Sequence, residues 1–191
     1  MNHDYFRDIN DFARDSGWLH GFMKFFAGDG VVVFALLLLA GWWIARRESP
    51  RWMATALWAA IGTLAAVAIN QPIVNAVKEK RPFVTMPHVL VLVHHAADYG
   101  FPSDHATMAG AVAAGLLLLT WRLGLLAVLA ALLMCFARVY VGVHFPGDVL
   151  AGLGVGAVTV VIGYFLLVPL LTKAVVWLEQ RTPLRPLLTA D

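Results

Sequence analysis

The stretch "FPSDHATMAGAVAAGLLLLTW", residues 101–121, joins a polar turn directly to a long apolar segment. Pro102 precedes Ser103, and a serine in this position predicts the N-cap of a helix that continues through the apolar residues. Aspartate and histidine side chains cost free energy close to the hydrocarbon of a membrane. Asp104 and His105, at the mouth of the predicted helix, therefore mark a candidate functional site.

The composition predicts a membrane protein. Of the 191 residues, 60% are hydrophobic and 14% are charged, and the mean hydropathy is +0.74, whereas a water-soluble domain carries far more charge. The formal net charge of +2 does not favour a nucleic-acid partner. Cys135 is the only cysteine, which excludes an intrachain disulfide. The N-terminal sequence lacks the basic start and apolar core expected of a cleavable signal peptide.

Five apolar stretches predict transmembrane helices, so the expected fold class is all-α, a polytopic membrane helix bundle. The stretches lie at Gly30–Ala45, Trp52–Ile69, Ala106–Trp121, Gly124–Val143 and Val149–Leu171. We expect residues 1–191 to form a single membrane-embedded domain, in which these helices make the core.

Two segments flank the predicted core. Apolar side chains recur at helical spacing from Tyr5 to Ala13, which predicts an amphipathic helix lying at the membrane interface, within an amphipathic N-terminal region of residues 1–28. The following segment "WLHGFMKFF" would add a sixth element if it is partly inserted. Residues 172–191 are expected to be an interfacial tail, because Pro183 and Pro186 interrupt any long helix there.

Basic residues between the spans predict the orientation. With five spans, one side receives Arg46, Arg47, Arg51, Arg122, Lys173, Arg181 and Arg185. The other side receives Lys78, Lys80, Arg81 and Arg138 together with the N-terminal helix, which contains Arg7 and Arg14. The count is nearly balanced, which weakens the positive-inside rule. Because the second group looks functional, we expect the first side to face the cytoplasm. The second group would then lie on the extracytoplasmic face of the cell membrane.

The residues that carry chemistry collect on this second side. They occur in "NAVKEKRPF" after the second span, "FPSDH" before the third and "ARVYVGVHFPGD" at the end of the fourth. A single arginine here could snorkel to lipid headgroups, and a Pro-Ser-Asp-His turn could be a plain helix cap. Several cations that converge on two histidines indicate an anion site instead.

These residue types suit phosphoryl transfer. Arg81 and Arg138 offer fork-shaped donors for phosphate oxygens, and the start of the third span offers free backbone N–H groups. Asp148 can hold one ring nitrogen of His144 and leave the other as a nucleophile, or it can merely cap the fifth span. His105 can protonate the leaving oxygen. Guanidinium groups and backbone dipoles can stabilise the charge, so this chemistry requires neither a metal nor another cofactor.

Three motifs, in order, make the sequence resemble the type 2 phosphatidic acid phosphatase family of membrane lipid phosphatases. The family motifs Lys-x6-Arg-Pro, Pro-Ser-Gly-His and Ser-Arg-x5-His-x3-Asp are matched by "KEKRP", "PSDH" and "ARVYVGVHFPGD", from about Lys78 to Asp148. The resemblance implies that His144 forms a phosphohistidine, that Asp148 orients it and that His105 is the general acid. It also implies that the phosphate-binding residues are Arg81, Arg138, Ser103 and the backbone at Asp104.

The sequence departs from the family pattern at three positions. Val74 stands at the position of the motif lysine, and Lys78 is the preferred substitute because Lys80 adjoins Arg81. Ala137 replaces the serine of the third motif, and Asp104 replaces the glycine of the second. The Pro-Ser-Asp-His variant in a short chain resembles the undecaprenyl-diphosphate phosphatase branch, which implies a polyprenyl diphosphate substrate.

Several alternatives stay open. Within the same enzyme class, the substrate could be phosphatidylglycerophosphate, phosphatidic acid or a polyprenyl-phosphoryl sugar phosphate. In other classes, the chain could bind or transport anionic lipids without hydrolysis, or hold haem or a metal on His105 and His144. Neither of these rivals explains the spacing of Arg138, His144 and Asp148. The oligomeric state is left open.

The loop between the second and third spans contains an apolar run, "HVLVLV", residues 88–93. It could line a portal for a lipid tail or form a short packed helix at the interface. His88, His94 and His95 resemble a metal cluster at first sight. However, adjacent side chains point in different directions on a helix or strand, so we expect no metal site there. His3 and His20 are assigned no role.

Overall fold

The computed structural model describes residues 2–94, 96–181 and 185–189. Within these ranges the chain forms α1 (Asn2–Asp15), α2 (His20–Gly28), α3 (Val31–Ala45), α4 (Pro50–Val77), α5 (Pro82–Thr85), α6 (Asp104–Leu119), α7 (Trp121–Tyr140), α8 (Pro146–Arg181) and α9 (Arg185–Leu188). A short 3-10 helix, Gly17–Leu19, joins α1 to α2. Apart from an isolated β-bridge between Lys80 and Tyr99, the described ranges contain no strand, so the predicted all-α fold class is confirmed.

Helix α6 lies at the centre of the bundle. It packs against α4, α7 and α8 and also contacts α3, and most of its residues are buried. Its sequence is rich in alanine and glycine, and small side chains let neighbouring helices approach closely, which is a main source of helix association in membranes. The polar turn at the start of α6 is therefore held in the middle of one end of the bundle.

The crossing of α6 and α8 is tight at two glycines near this end. A Cβ atom on Gly152 would lie 2.6 Å from the carbonyl oxygen of Ser103, and one on Gly156 would lie 2.0 Å from the carbonyl oxygen of Thr107. Both neighbours are backbone atoms, which cannot move aside without shifting a helix. The two glycines thereby fix the start of α8 against the start of α6.

Replacing Gly156 by leucine should lower the melting temperature of the detergent-purified protein. Overpacking that costs about 1–3 kcal/mol corresponds to a decrease of roughly 2–12 °C in a chain of this size. Gly154 provides the control on the same helix, because a Cβ atom there meets nothing within 4 Å. Gly156→Ala serves if the leucine variant does not fold. Equal melting temperatures for the Gly156 and Gly154 variants would contradict a tight crossing.

Fewer helices meet the length of a membrane span than the sequence predicted. In the described part of the chain, α4, α7 and α8 are long and apolar enough, and α2 with α3 makes a fourth span if the pair, bent by 55°, is counted as one. Helix α6 is apolar but has only 16 residues. The predicted count of five spans, or six with the N-terminal segment, is therefore not confirmed. The segment "WLHGFMKFF", residues 18–26, which was expected as a possible sixth element, lies in the first half of the bent pair, Gly17–Gly28.

Helix α1 lies against the turn that follows α7. The ring of Phe6 meets Phe145 edge-on with centroids 5.4 Å apart, and His3 stacks on Phe145 at 4.9 Å. The backbone N–H of Gly147 donates to the side-chain oxygen of Asn2 at 2.9 Å. His3, to which no role was assigned from the sequence, thus contacts Phe145, the neighbour of His144.

The apolar run at residues 88–93 is not helical, so the prediction of a short packed helix is wrong. Asn10 exchanges two hydrogen bonds, each 2.9 Å long, with the backbone of Leu90. The N–H of Leu92 donates to the carbonyl of Val141 at 3.1 Å. These bonds use the backbone groups that a helix would pair internally. The run therefore links α1 to the turn after α7. Of the three histidines considered as a metal cluster, His95 lies outside the described residues.

Helix α8 is longer than a membrane is thick. Its 36 residues, at about 1.5 Å per residue, extend roughly 54 Å, against about 30 Å of hydrocarbon. The predicted interfacial tail thus begins as a continuation of α8, while Pro183 lies outside the described residues. Helix α9 then packs against the end of α3: the carbonyl of Leu187 accepts from Trp42 Nε1 at 3.0 Å, and that of Pro186 accepts from Arg46 at 2.5 Å.

Candidate active site

Several helix ends meet around one small cavity. Its volume is about 120 Å³, and it is lined by Val74, Arg81, Asp98, Tyr99, Gly100, Pro102, Asp104, His105, Arg138 and His144. The structure thus brings together predicted residues from all three sequence stretches. A larger cavity of about 280 Å³, between α1 and residues 86–89, contains none of the predicted site residues.

His144 and Asp148 form a buried pair beside this cavity. Nδ1 of His144 lies 3.2 Å from Oδ2 of Asp148, and the side chains are only 2% and 1% exposed. The N–H of Phe145 donates to the same carboxylate oxygen at 2.8 Å, which fixes its position. Nε2 of His144 lies 2.9 Å from a terminal nitrogen of Arg81. Because arginine can only donate, Nε2 is the acceptor and the ring proton lies on Nδ1, donated to Asp148.

Arg81 is held by contacts on several sides. One terminal nitrogen, besides contacting His144, donates to the carbonyl of Val143 at 3.0 Å, and the other donates to that of Tyr99 at 3.2 Å. Its Nε donates to Asp98 Oδ1 at 2.5 Å. Sequence reasoning missed Asp98, although the residue lies only four positions before Pro102. Its proximity to the second motif was the available signal.

Arg138, near the end of α7, approaches the same histidine from another direction. One terminal nitrogen lies 3.2 Å from Nε2 of His144 and the other donates to the carbonyl of Ala27 at 3.0 Å. Helix α2 ends at Gly28, so this carbonyl belongs to the last turn, whose carbonyls have no partner within the helix. The break between α2 and α3 therefore supplies an acceptor that orients a buried arginine. No side-chain pattern could reveal this acceptor, because it is a backbone atom.

Ser103 and His105 open α6 beside His144. The side chain of Ser103 accepts from the N–H of Ala106 at 3.5 Å, which confirms the predicted N-cap. Ser103 Oγ also lies 3.3 Å from Nε2 of His144. His105 lies in the first turn of α6 and lines the cavity. The positive end of the helix dipole thus faces the same space as the two arginines.

The carboxylate of Asp104 is held by two amides of α4. Its Oδ1 accepts from Asn70 at 2.7 Å and from Gln71 at 2.8 Å. Asn70, which is fully buried, also donates to the carbonyl of Pro102 at 3.0 Å. The negative charge that replaces the motif glycine is therefore partly compensated by two amide donors. It also ties α4 to the start of α6.

The structure does not bring Lys78 to the cavity. Helix α4 ends at Val77, and Lys78 follows it in the left-handed conformation with φ of 57°. Its side chain is exposed, as is that of Lys80. Among the residues that the structure describes, the cavity lining includes Val74 and neither lysine. An apolar side chain thus stands where the motif lysine was expected.

The arrangement suits a phosphate group held for in-line attack. Two guanidinium groups, a serine hydroxyl and a helix N-terminus can surround the equatorial oxygens. The imidazole ring is fixed by a carboxylate on one side and presents the other nitrogen to the same space. A second histidine lies close by, at the cavity wall. These are the parts of a phosphoryl-transfer site.

A comparison with known protein families identifies the family to which this site belongs. The profile of the PAP2 superfamily matches residues 55–170, a range that contains the cavity and every predicted site residue. The chain belongs to the PAP2 superfamily. The resemblance inferred from the sequence motifs is thereby confirmed, and the chain is a PAP2-type phosphatase.

Two relatives resemble the PAP2 chain over most of its length. Undecaprenyl-diphosphatase BcrC of Bacillus subtilis is 36% identical over 164 residues, which cover 86% of the chain and 81% of the relative. The putative undecaprenyl-diphosphatase YbjG of Escherichia coli is 33% identical, with 83% of the chain and 78% of the relative covered. Both alignments extend well beyond the three motifs.

A solved structure resembles the PAP2 chain in its fold. The crystal structure of Aquifex aeolicus LpxE has a TM-score of 0.62 and 28% identity, covering 83% of the chain and 92% of that protein. Together with the apolar helices of the described residues, these likenesses identify a multi-pass membrane protein.

Proposed function

We propose that this PAP2 phosphatase hydrolyses a polyprenyl diphosphate of the undecaprenyl type to the monophosphate and inorganic phosphate. The observation that carries the proposal is the environment of His144 beside the cavity. Its Nδ1 is hydrogen-bonded to Asp148, and its Nε2 contacts the guanidinium groups of two arginines. The names of BcrC and YbjG support a polyprenyl diphosphate as the substrate, and with it a role in cell wall biogenesis.

In the first step, Nε2 of His144 attacks the terminal phosphorus of the bound lipid. The bond between that phosphorus and the bridging oxygen breaks, and His105 protonates the oxygen as the lipid monophosphate leaves. Asp148 stabilises the positive charge that develops on the imidazole ring. Arg81, Arg138 and Ser103 hold the equatorial oxygens, with help from the backbone N–H groups that open α6.

In the second step, water attacks the phosphohistidine. His105, now neutral, takes a proton from the water and returns to its starting state. The bond between phosphorus and Nε2 breaks, and inorganic phosphate leaves. Val74 stands at the position of the motif lysine and carries no charge. The negative charge of the phosphate is therefore stabilised by the two arginines and the N-terminus of α6.

We further propose that the reaction takes place on the extracytoplasmic face of the membrane. The site lies where α4 and α7 end and α6 and α8 begin. The other end of the bundle carries Arg46 and Arg47 after α3, Arg51 at the start of α4 and Arg122 at the start of α7. The positive-inside rule places such basic residues in the cytoplasm.

The test is a comparison of lipids with the detergent-purified protein in the presence of EDTA. Phosphate release should be fastest from undecaprenyl diphosphate, relative to phosphatidylglycerophosphate and phosphatidic acid at equal surface concentration. Release from all three at the same rate would contradict the proposed substrate class. Loss of activity in EDTA, restored by a divalent cation, would contradict the metal-free mechanism.

A further inference from the structure

The pairing of Arg81 with Asp98 places a carboxylate on an arginine of the candidate phosphate site, and both residues line the cavity. The distance from Arg81 Nε to Asp98 Oδ1 is 2.5 Å. Carboxylate and phosphate oxygens compete for the same guanidinium donors, because both groups are anions whose oxygens accept charge-assisted hydrogen bonds at similar distances. The described structure therefore shows a phosphate-binding arginine that already holds an anion from its own chain.

The two partners differ in exposure. The side chain of Arg81 is 7% exposed, whereas that of Asp98 is 55% exposed. Other contacts of Arg81, to the carbonyls of Val143 and Tyr99, do not involve Asp98. Arg81 therefore stays in position when the Asp98 carboxylate moves away. Because Asp98 is exposed, water can solvate the displaced carboxylate with little loss of free energy.

The two residues that follow Asp98 are held by backbone contacts to the residues just before Arg81. Tyr99 forms an isolated β-bridge with Lys80, and the N–H of Gly100 donates to the carbonyl of Glu79 at 2.8 Å. These backbone contacts keep Asp98 close to Arg81 even when the side chain rotates away. The effective concentration of the internal anion at the arginine is therefore high.

We propose that Asp98 is an internal competing anion that weakens phosphate binding and promotes product release, and this rests on the function proposed above. An incoming phosphate displaces the carboxylate from Arg81. When inorganic phosphate is formed, the carboxylate returns and takes over the arginine. Without this competitor, two buried guanidinium groups would retain the product and slow turnover.

Asp98→Asn tests this competition, because the amide keeps the size and a hydrogen-bond acceptor but removes the charge. The binding of inorganic phosphate to the detergent-purified protein is measured by isothermal titration calorimetry. We expect the Kd for phosphate to fall about five- to tenfold, between the effect of an exposed ion pair and that of a buried charged hydrogen bond.

Two matched variants complete the experiment. Asp98→Glu retains the competing charge and should bind phosphate as the wild type does. Glu48→Gln removes one negative charge from an exposed position at the opposite end of the bundle, so it should also leave the Kd unchanged. An unchanged or higher Kd in Asp98→Asn would overturn the proposal and indicate that Asp98 merely positions Arg81.

The lipid assay separates this proposal from the proposed function. If the wild type releases no phosphate from undecaprenyl diphosphate, the proposed substrate is wrong, while the phosphate titration still decides whether Asp98 competes. If the wild type is active, inhibition of the reaction by inorganic phosphate provides a second measurement of phosphate binding. Inorganic phosphate should then inhibit Asp98→Asn about five- to tenfold more strongly than the wild type. Equal inhibition would contradict the proposal.

Discussion

Replacing His144 by alanine should reduce phosphate release from the lipid substrate by roughly 10³-fold or more. The variant loses the nitrogen that would form the bond to phosphorus, and with it the contacts of the imidazole ring to Asp148 and the two arginines. The measurement is release of inorganic phosphate under saturating substrate. It should be accompanied by a melting curve, because His144 is buried and its loss leaves a cavity.

His94→Ala is the control for this variant. His94 is exposed and does not line the cavity, so its removal should leave activity unchanged. Wild type quenched in alkaline detergent after reaction with labelled lipid should contain an acid-labile, base-stable phosphoryl group, and His144→Ala should not. Activity of His144→Ala within tenfold of the wild type would remove His144 as the nucleophile.

Arg138→Lys should lower kcat/KM by about 10²-fold despite the retained charge. Arg138 reaches the carbonyl of Ala27 with one terminal nitrogen and His144 with the other, at 3.0 and 3.2 Å. A lysine ammonium is a single point of charge and cannot make both contacts in the planar geometry of a guanidinium. The substitution therefore disturbs the alignment of the phosphate with His144 more than it weakens the electrostatic attraction between residue 138 and the phosphate.

Arg122→Lys is the matched control on the same helix. Arg122 lies at the start of α7, at the end away from the site, where it contacts only the ring of Trp121 among the described cation–π pairs, at 5.5 Å. The conservative change there should leave kcat/KM within about twofold of the wild type. If Arg138→Lys also stays within that range, the charge alone suffices and the fork geometry plays no part.

The sequence predicted the fold class and the residues that meet at the cavity because both depend on strong local signals. Long apolar stretches can only be helices in a membrane, and the polar side chains between them are few. Arg81, His105 and His144 come from separate stretches, yet the alternation of helix direction already places these stretches on one side of the bundle. Ser103 was identifiable as a helix cap from its neighbours alone.

The remaining features depend on backbone positions that no local pattern determines. The carbonyl of Ala27 is available to Arg138 only because α2 stops at Gly28. Lys78 was preferred over Lys80 because Lys80 adjoins Arg81, but α4 ends just before Lys78 and leaves Val74 at the cavity. The extended form of residues 88–93 depends on Asn10, some 80 positions away in the chain. Such pairings are set by tertiary packing, which overrides local propensity.

The contact between Asn2 and Gly147 has a practical consequence for handling the protein. A fluorescent reporter or purification tag fused ahead of Asn2 would end directly before the residue that accepts a hydrogen bond from Gly147, in the turn after His144. Its bulk would compete with α1 for the space beside Phe145. A tag placed after α9 would instead leave the chain near Trp42, at the other end of the bundle. The C-terminal position is therefore the better attachment point for purification, imaging and immobilisation.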